Sequence, residues 1–270
     1  MSEAAQQRKE RERQEDLERL KWLRPIDEDF MRCIFRDNIP LAQFVLRILI
    51  GKPDLVVDEL TTQKDMKRLV GARSIVLDAY VSDSQGKKYD VEIQRADTGA
   101  GKHRARYHSA AMDVENLSAG QDFWELPDTY TIFITEHDIF GQGKPFHPVE
   151  RVDMTTGQLF DDGEHILYVN GAYRDDSDIG RLMHDFSCWD ADEMHFELLR
   201  DATHYYKDNP EGVESMCKAF EETRDKAAYQ RSVDIAVKAI KMDILSLEQI
   251  AELTGLPIIE IQELASQKSA

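Results

Sequence analysis

The 270-residue sequence contains few cysteines and no long apolar run. Its three cysteines, Cys33, Cys188 and Cys217, are widely spaced and odd in number, which excludes a disulfide framework and fits no zinc-binding spacing. No apolar stretch approaches the length of a membrane span, and the first ten residues contain no apolar signal core. We therefore expect a cytoplasmic protein without a membrane partner.

Sequence signals of several enzyme classes are also missing. The segment Gly99-Ala-Gly101 lacks the Lys-Ser/Thr pair that follows a phosphate-binding loop, and no Ser or Cys has an evident catalytic partner. Six histidines show no tight ligand spacing: His137, His147, His165, His184, His195 and His204. The sequence therefore predicts neither a nucleotide-binding loop, nor a Ser or Cys nucleophile, nor a histidine-based metal centre.

The net charge is −18, which opposes binding to polyanionic DNA, but its distribution is uneven. Residues 61–110 contain ten basic and six acidic residues, a local charge of +4, so the rest of the chain carries −22. A phosphodiester site needs such a positive region, although a charge-rich chain also has basic windows by chance. The ten are Lys64, Lys67, Arg68, Arg73, Lys87, Lys88, Arg95, Lys102, Arg104 and Arg106.

The chain divides into a charged helix or tail over residues 1–21, an α/β core over 22–200 and a helical region over 201–270. Helices are predicted over 27–36, 41–50 and 102–117 and from 210 to about 242, and a first strand begins near 55–57. Further strands are predicted over 130–135, 147–155 and 165–169. Two short helices around Gly255 superficially resemble a helix-turn-helix DNA reader. The second contains Glu260 and Glu263 but no Lys or Arg, which favours a packing or dimerising module.

A β-hairpin is predicted where two segments of β-branched and aromatic residues flank a short turn. If Ser84-Gln85-Gly86 is a three-residue loop, its last position needs a left-handed backbone, which Gly86 adopts at little cost. In that register Asp83 pairs with Lys87. A slip of one residue would reverse the facing of every side chain.

The predicted register places Asp78 opposite Glu92, on a face that also contains Asp90 and Gln94. Cross-strand Cβ atoms lie about 5 Å apart, and like charges at that distance destabilise a sheet. Either one carboxylate is protonated or a cation lies between the two, which would make a metal site. The alternative is a solvated polar face with Asp78 at a sheet edge.

The order of these features, an Asp, a hairpin turn and then Glu-x-Gln, resembles that of the PD-(D/E)XK nuclease superfamily. Within it, the sequence resembles the Rpn-type recombination-promoting nucleases, also called PD-(D/E)XK family transposases. Three further segments resemble that family's first helix, its Arg-and-aromatic helix and its next core strand, in that order. They are Pro25–Phe35, Lys102–His108 and Tyr130–Thr135. The resemblance covers roughly residues 22–200. It implies a restriction-endonuclease-like mixed sheet flanked by helices, with a C-terminal helical extension.

The resemblance also implies roles for particular residues. Asp78, Glu92 and the main-chain carbonyl of Ile93 would bind Mg²⁺ or Mn²⁺, which prefer hard oxygen ligands. Gln94 stands where the wider superfamily has Lys, so it orients a water but supplies no charge, as in the Rpn-like branch. Arg104 would supply positive charge near the phosphate, with a surface salt bridge as the alternative.

Three auxiliary residues are assigned by the same resemblance. Glu28 matches an acidic position that binds metal-bound water in some superfamily members, although acidic residues in a first turn also cap helices. Asp90 is either a group behind the metal ligands or a solvated strand residue. Tyr107 is expected to be a packed aromatic rather than a participant in the chemistry.

The leading functional prediction is a Mg²⁺-dependent endonuclease that acts on DNA in recombination, in mobile elements or in defence against foreign DNA. A homodimer is possible. The alternative, favoured by the acidic net charge and by Gln94, is a catalytically inactive nuclease fold that serves as a protein-interaction module.

Overall fold

A computed structural model describes residues 3–66, 75–95 and 97–266 of the chain. Six strands form one sheet in the order β1-β2-β3-β4-β6-β5. The β3–β4 and β4–β6 pairs are parallel, and the other pairs are antiparallel. The strands are β1 (Val57–Asp65), β2 (Val76–Asp83), β3 (Lys88–Gln94), β4 (Thr129–Thr135), β5 (Phe146–Val149) and β6 (Glu164–Asn170).

The described residues also form helices before, within and after this sheet. They are α1 (Glu3–Lys21), α2 (Glu28–Phe35), α3 (Ile39–Ile50), α4 (Lys102–Asn116), α5 (Asp178–Ser187), α6 (Glu197–Asp208), α7 (Pro210–Met242), α8 (Leu247–Thr254) and α9 (Ile258–Ser266). A mixed sheet flanked by helices, followed by C-terminal helices, confirms the predicted restriction-endonuclease-like α/β class.

Local sequence signals explain the early helices. Helix α2 buries Phe30, Ile34 and Phe35, the side chains whose spacing predicted an inward face. Helix α3 has Pro40 in its first turn, and it ends at Gly51, which has a left-handed φ of 69°. Both helices therefore begin and end close to the residues that the sequence indicates.

The connection between β3 and β4 determines what lies over the sheet. Parallel neighbours cannot be joined by a tight turn, so the chain must cross over, and helix α4 is part of this crossover. Helix α4 contacts β4 and covers the sheet face formed by the even-numbered residues of β3. The helix after Glu-x-Gln is therefore positioned to contact the carboxylates on that face.

One predicted strand is wrong over most of its length. The strand expected over 147–155 ends at Val149, and beyond it only Val152 forms a β-bridge, with Leu159. The Asp153 carboxylate accepts a hydrogen bond from the Thr155 amide at 2.8 Å. This local side-chain-to-backbone turn competes with strand pairing, so the segment does not continue the ladder.

The chain forms two compact units, residues 1–216 and 217–270. In the second unit, side chains of α7, α8 and α9 pack together, as expected for a packing module; its cluster comprises Ala236, Ile240, Ile250, Leu256 and Ile261. The predicted domain limits at 21/22 and 200/201 stay predictions. In the described part of the chain, no helix combines the length and apolar character that crossing a membrane requires.

Candidate active site

The hairpin between β2 and β3 has the predicted register. Tyr80 pairs with Asp90 and Ser82 with Lys88, and the same register places Asp78 opposite Glu92. At the turn, the Asp83 amide donates to the Lys87 carbonyl at 3.1 Å, and Gly86 has a φ of +81°. The left-handed glycine thus fixes the pairing that puts both carboxylates on one face.

That face is buried, so the expectation of a solvated face or a sheet edge is wrong. Asp78 is 6% exposed, and Asp90 and Glu92 are fully buried. Helix α4 closes over Asp90 and Glu92, which contact its residues His108 and Arg104. Strand β2 also lies between β1 and β3 and is not an edge strand. A local pattern of polar residues cannot reveal a helix that covers it.

Asp78 and Glu92 each accept a hydrogen bond from the backbone of the opposite strand. The Asp78 amide donates to Glu92 Oε1 at 3.0 Å, and the Ile93 amide donates to Asp78 Oδ2 at 3.4 Å. The predicted ligand pair and Ile93 therefore lie together where β2 and β3 separate. This geometry brings the residues together, and their assignment as metal ligands stays a prediction.

Burial raises the pKa of all three carboxyl groups. Asp78 has a pKa well above its usual value because of burial, with the charges of Glu92 and Glu28 adding to the effect. Burial, followed by the charge of Asp78, raises the pKa of Asp90. Burial, followed by the charge of Asp90, raises the pKa of Glu92 to about 8. The cluster therefore favours bound protons or a bound cation.

Arg104 and His108, on helix α4, connect two of the carboxylates. Arg104 Nη2 lies 2.6 Å from Glu92 Oε2, and Arg104 Nε donates to His108 Nε2 at 3.1 Å. His108 Nδ1 lies 2.8 Å from Asp90 Oδ2. Because a guanidinium only donates, His108 Nε2 accepts, so a neutral ring carries its proton on Nδ1 and donates it to Asp90. Burial lowers the pKa of His108, consistent with this neutral form.

The sequence motifs predicted a role for Arg104 but not for His108. Arg104 is 39% exposed, yet its partner Glu92 is fully buried, so the pair is not a surface salt bridge. The available signal was spacing: His108 follows Arg104 by four positions, which places both on the same helix face. Asp90, which His108 contacts, is a buried group behind Glu92 and not a solvated strand residue.

Gln94 packs against the chain at Gly99. A Cβ atom on Gly99 would lie 1.9 Å from Gln94 Oε1, so only glycine leaves room for this carboxamide position. The Gly99 carbonyl also accepts a hydrogen bond from Arg104 Nη1 at 3.2 Å. Gly99 thus contacts two predicted catalytic side chains, a role that the sequence did not indicate.

The predicted auxiliary residues differ in their surroundings. Glu28, in the first turn of α2, is close enough to Asp78 for its charge to raise the Asp78 pKa. It also lies 4.0 Å from Arg32. Tyr107 is 42% exposed, so more than half of its surface is covered, and its assignment as a packed aromatic residue stays a prediction.

The basic window is partly neutralised by ion pairs among the described residues. Lys67, Arg68 and Arg73 lie outside the described residues. Four of the other seven form ion pairs: Lys64 with Glu115, Lys87 with Asp128, Arg95 with Asp27 and Glu136, and Arg104 with Glu92. Local sequence charge therefore overstates the positive charge that this surface presents to a ligand.

The fold and the buried carboxylate cluster together are typical of a nuclease-type α/β protein. The sequence profile of PD-(D/E)XK nuclease family transposases matches residues 37–172, half of the chain and every strand of the sheet. The chain belongs to this family, as its sequence motifs predicted. Membership implies a nuclease-type hydrolase. No curated protein and no solved structure gives a significant match.

The carboxylate cluster fits the divalent metal that PD-(D/E)XK nucleases generally use. Among the described residues, Asp90, Glu92 and His108 each offer one ligand atom, and these atoms lie within 4.8 Å of one another. Asp90 Oδ1 is buried and has no hydrogen-bond partner among those residues. An unpaired, buried carboxylate oxygen is costly unless it gains a cation or a proton. This donor set includes Asp90 and His108, whereas the sequence predicted Asp78, Glu92 and Ile93.

Proposed function

We propose that this protein is a metal-dependent DNA endonuclease that hydrolyses phosphodiester bonds. The observation that supports it best is the group of three buried carboxyl groups, Asp78, Asp90 and Glu92, beside the partly exposed Arg104. Buried acids with raised pKa values next to a cation are characteristic of functional sites. Family membership narrows the reaction class to nuclease-type hydrolysis.

Asp78, Glu92 and the Ile93 carbonyl would hold Mg²⁺ or Mn²⁺, with Asp90 and His108 behind them. Oxygen ligands of this kind suit both ions. When bound, such an ion supplies Lewis-acid polarisation of the phosphate and a lower pKa for the attacking water. The three carboxylates repel one another when all of them are ionised in a buried site. A bound cation relieves this repulsion, so the cluster attracts the ion.

Arg104 and Gln94 would act on the substrate and on water. Arg104 contacts Glu92, and its partial exposure allows the guanidinium to turn to a phosphate oxygen when Glu92 binds an ion. Gln94, held against Gly99, would orient the attacking water through neutral hydrogen bonds. Glu28 lies near Asp78 and is largely exposed, so it would contact water where the carboxylate cluster meets solvent.

DNA is the substrate that the family description favours, because transposases act on DNA. A role in recombination, in mobile elements or in defence against foreign DNA fits the same reaction. Three basic side chains of the window form none of the described ion pairs and would contact backbone phosphates. They are Lys88, Lys102 and Arg106. A homodimer stays a prediction.

A second candidate is a catalytically inactive nuclease fold that binds another protein. The contacts of Glu92 favour it: Oε2 accepts from Arg104 at 2.6 Å and Oε1 from the Asp78 amide at 3.0 Å. An ion must displace Arg104 or use the remaining lone pairs. In a catalytically inactive protein, the ion pair between Arg104 and Glu92 would be permanent.

A plasmid-cleavage assay with Mn²⁺ tests the proposal. We expect Asp78→Asn and Glu92→Gln each to lower cleavage at least about 100-fold, since each removes a charged ligand. Asp83→Asn is the matched control, because Asp83 lies in the same hairpin but at the turn, and asparagine keeps an acceptor oxygen. Equal cleavage by all three variants would exclude this active site. Failure of the wild type to bind Mn²⁺ in calorimetry would favour the inactive fold.

A further inference from the structure

Asp185 is a fully buried carboxylate that joins the end of helix α5 to the start of helix α6. Its Oδ1 accepts a hydrogen bond from the His195 amide at 2.9 Å, and its Oδ2 accepts one from the Phe196 amide at 2.9 Å. The carboxylate is therefore fixed in place, and so is the backbone of His195. This region follows residue 172, where the family match ends.

Two imidazole rings meet at this carboxylate. His184 Nδ1 lies 3.1 Å from Asp185 Oδ1, and the rings of His184 and His195 have centroids 4.7 Å apart at an angle of 56°. One ligand atom of each of the three residues lies within 4.8 Å of the others. The two histidines are separated by ten residues, so their sequence spacing gave no sign of a common site.

The hydrogen bond to Asp185 prepares His184 as a metal ligand. A histidine that binds a metal commonly donates its other ring N–H to a carboxylate, which fixes the tautomer and makes the ligating nitrogen more basic. With Nδ1–H directed to Asp185, His184 presents Nε2, which has no hydrogen bond to any residue within the described ranges. The side chain is 37% exposed, so an ion can reach this nitrogen.

A nearby histidine with carboxylate partners provides a contrast. His204 Nδ1 lies 2.6 Å from Asp208 and its Nε2 lies 3.2 Å from Asp192, so both of its nitrogens are occupied. His204 has two acids around one imidazole, whereas the Asp185 group has two imidazoles around one acid. Imidazole nitrogens favour Zn²⁺ and similar transition metals, and carboxylates alone favour Mg²⁺ or Ca²⁺.

We propose that His184 and His195 bind a transition-metal ion of the Zn²⁺ class, with Asp185 orienting His184 and water completing the coordination. Zinc–nitrogen bonds of about 2.0–2.1 Å require the exposed His195 ring to turn towards the nitrogen that His184 presents. The bound ion would link the last turn of α5 to the segment that leads into α6. The site is separate from the carboxylate cluster of the nuclease family, and it does not depend on nuclease activity.

Calorimetric titration of the full chain with Zn²⁺ tests this site. The titration uses an Asp78→Asn/Glu92→Gln background, so that the carboxylate cluster does not contribute. We expect one Zn²⁺ per chain and at least about 10-fold weaker binding in both His184→Gln and His195→Gln. His204→Gln is the matched control and should bind Zn²⁺ as before.

Thermal unfolding gives a second readout. Zn²⁺ at 100 times its dissociation constant should raise the midpoint by several degrees in the same background, because it binds only the folded chain; this corresponds to about 2.7 kcal/mol. The rise should disappear in His184→Gln. Absence of Zn²⁺ binding, unchanged binding in both variants, or loss of binding only in His204→Gln would each overturn the proposal.

Discussion

The two ends of the β2–β3 hairpin both bury acidic side chains, but they surround them differently. At the turn, Asp83 Oδ1 accepts hydrogen bonds from the Gln85 and Lys87 amides, each at 2.9 Å. Its Oδ2 accepts one from the Tyr89 hydroxyl at 2.8 Å. Both oxygens therefore have good donors, and Asp83 acts as part of the turn.

At the open end, three carboxyl groups share few donors. Among the described residues, Asp78 accepts only long hydrogen bonds, at 3.4 Å from the Ile93 amide and 3.5 Å from Gln63. Asp90 Oδ1 has no partner among the described residues. Burial alone therefore does not identify a site. What distinguishes the open end is the burial of several acids without enough donors to stabilise their charge.

The largest expected effect at the open end comes from its cation, Arg104. We expect Arg104→Ala to lower cleavage by about 100-fold, because it removes the group that we propose stabilises charge on the phosphate. Mn²⁺ binding at pH 9 should persist, since the carboxylates remain. Arg106→Ala, two positions along the same helix, is the comparison: it removes only one proposed contact to a backbone phosphate and should change cleavage by about threefold or less. Loss of Mn²⁺ binding in Arg104→Ala would mean that Arg104 instead maintains the site's structure.

The pH dependence gives the next largest effect. Metal binding requires ionised carboxylates, so with the pKa of Glu92 at about 8, Mn²⁺ affinity should rise about tenfold per pH unit below 8 and level off above it.

The free energy of unfolding without metal should change with pH in the opposite direction. The folded pKa lies above the unfolded one, so stability should fall as the pH rises from about 4.5 to about 8. Denaturant unfolding in EDTA measures this, and Glu92→Gln should flatten the curve. A flat wild-type profile would contradict the buried, protonated state.

The smallest effect compares two aspartates five positions apart on β2. Asp83→Ala removes three hydrogen bonds at the turn and should lower the free energy of unfolding by about 1–3 kcal/mol. Asp78→Ala at pH 9 in EDTA should leave it unchanged or raise it, because a like charge beside Glu92 is removed. Urea unfolding measures both variants. An equal loss in the two would show that the ends of the hairpin do not differ.

Much of the fold was predictable because its signals are local. Gly86 fixed the loop and hence the register of Asp78 against Glu92, and Pro40 and Gly51 bounded helix α3. The family followed from the order of short motifs around that hairpin. The strand expected over 147–155 failed for a local reason as well, because Asp153 forms a turn with the backbone.

The partners of the site residues were not predictable in the same way. Asp90 has the sequence pattern of a solvated strand residue, and only the packing of helix α4 buries it against His108. Gly99 follows Gln94 by five positions, and nothing in the spacing indicates that their atoms nearly touch. His184 and His195 belong to separate segments that Asp185 brings together.

The amino-acid sequence alone determined the hairpin, its register and the pair of opposed acids, because turn geometry and side-chain alternation act over a few residues. The tertiary structure decided which acids are buried, which are neutralised and which lack donors. Those properties depend on the helix that crosses from β3 to β4 and closes over the sheet. Solvent exclusion and charge pairing arise between segments distant in the chain, so no local pattern specifies them.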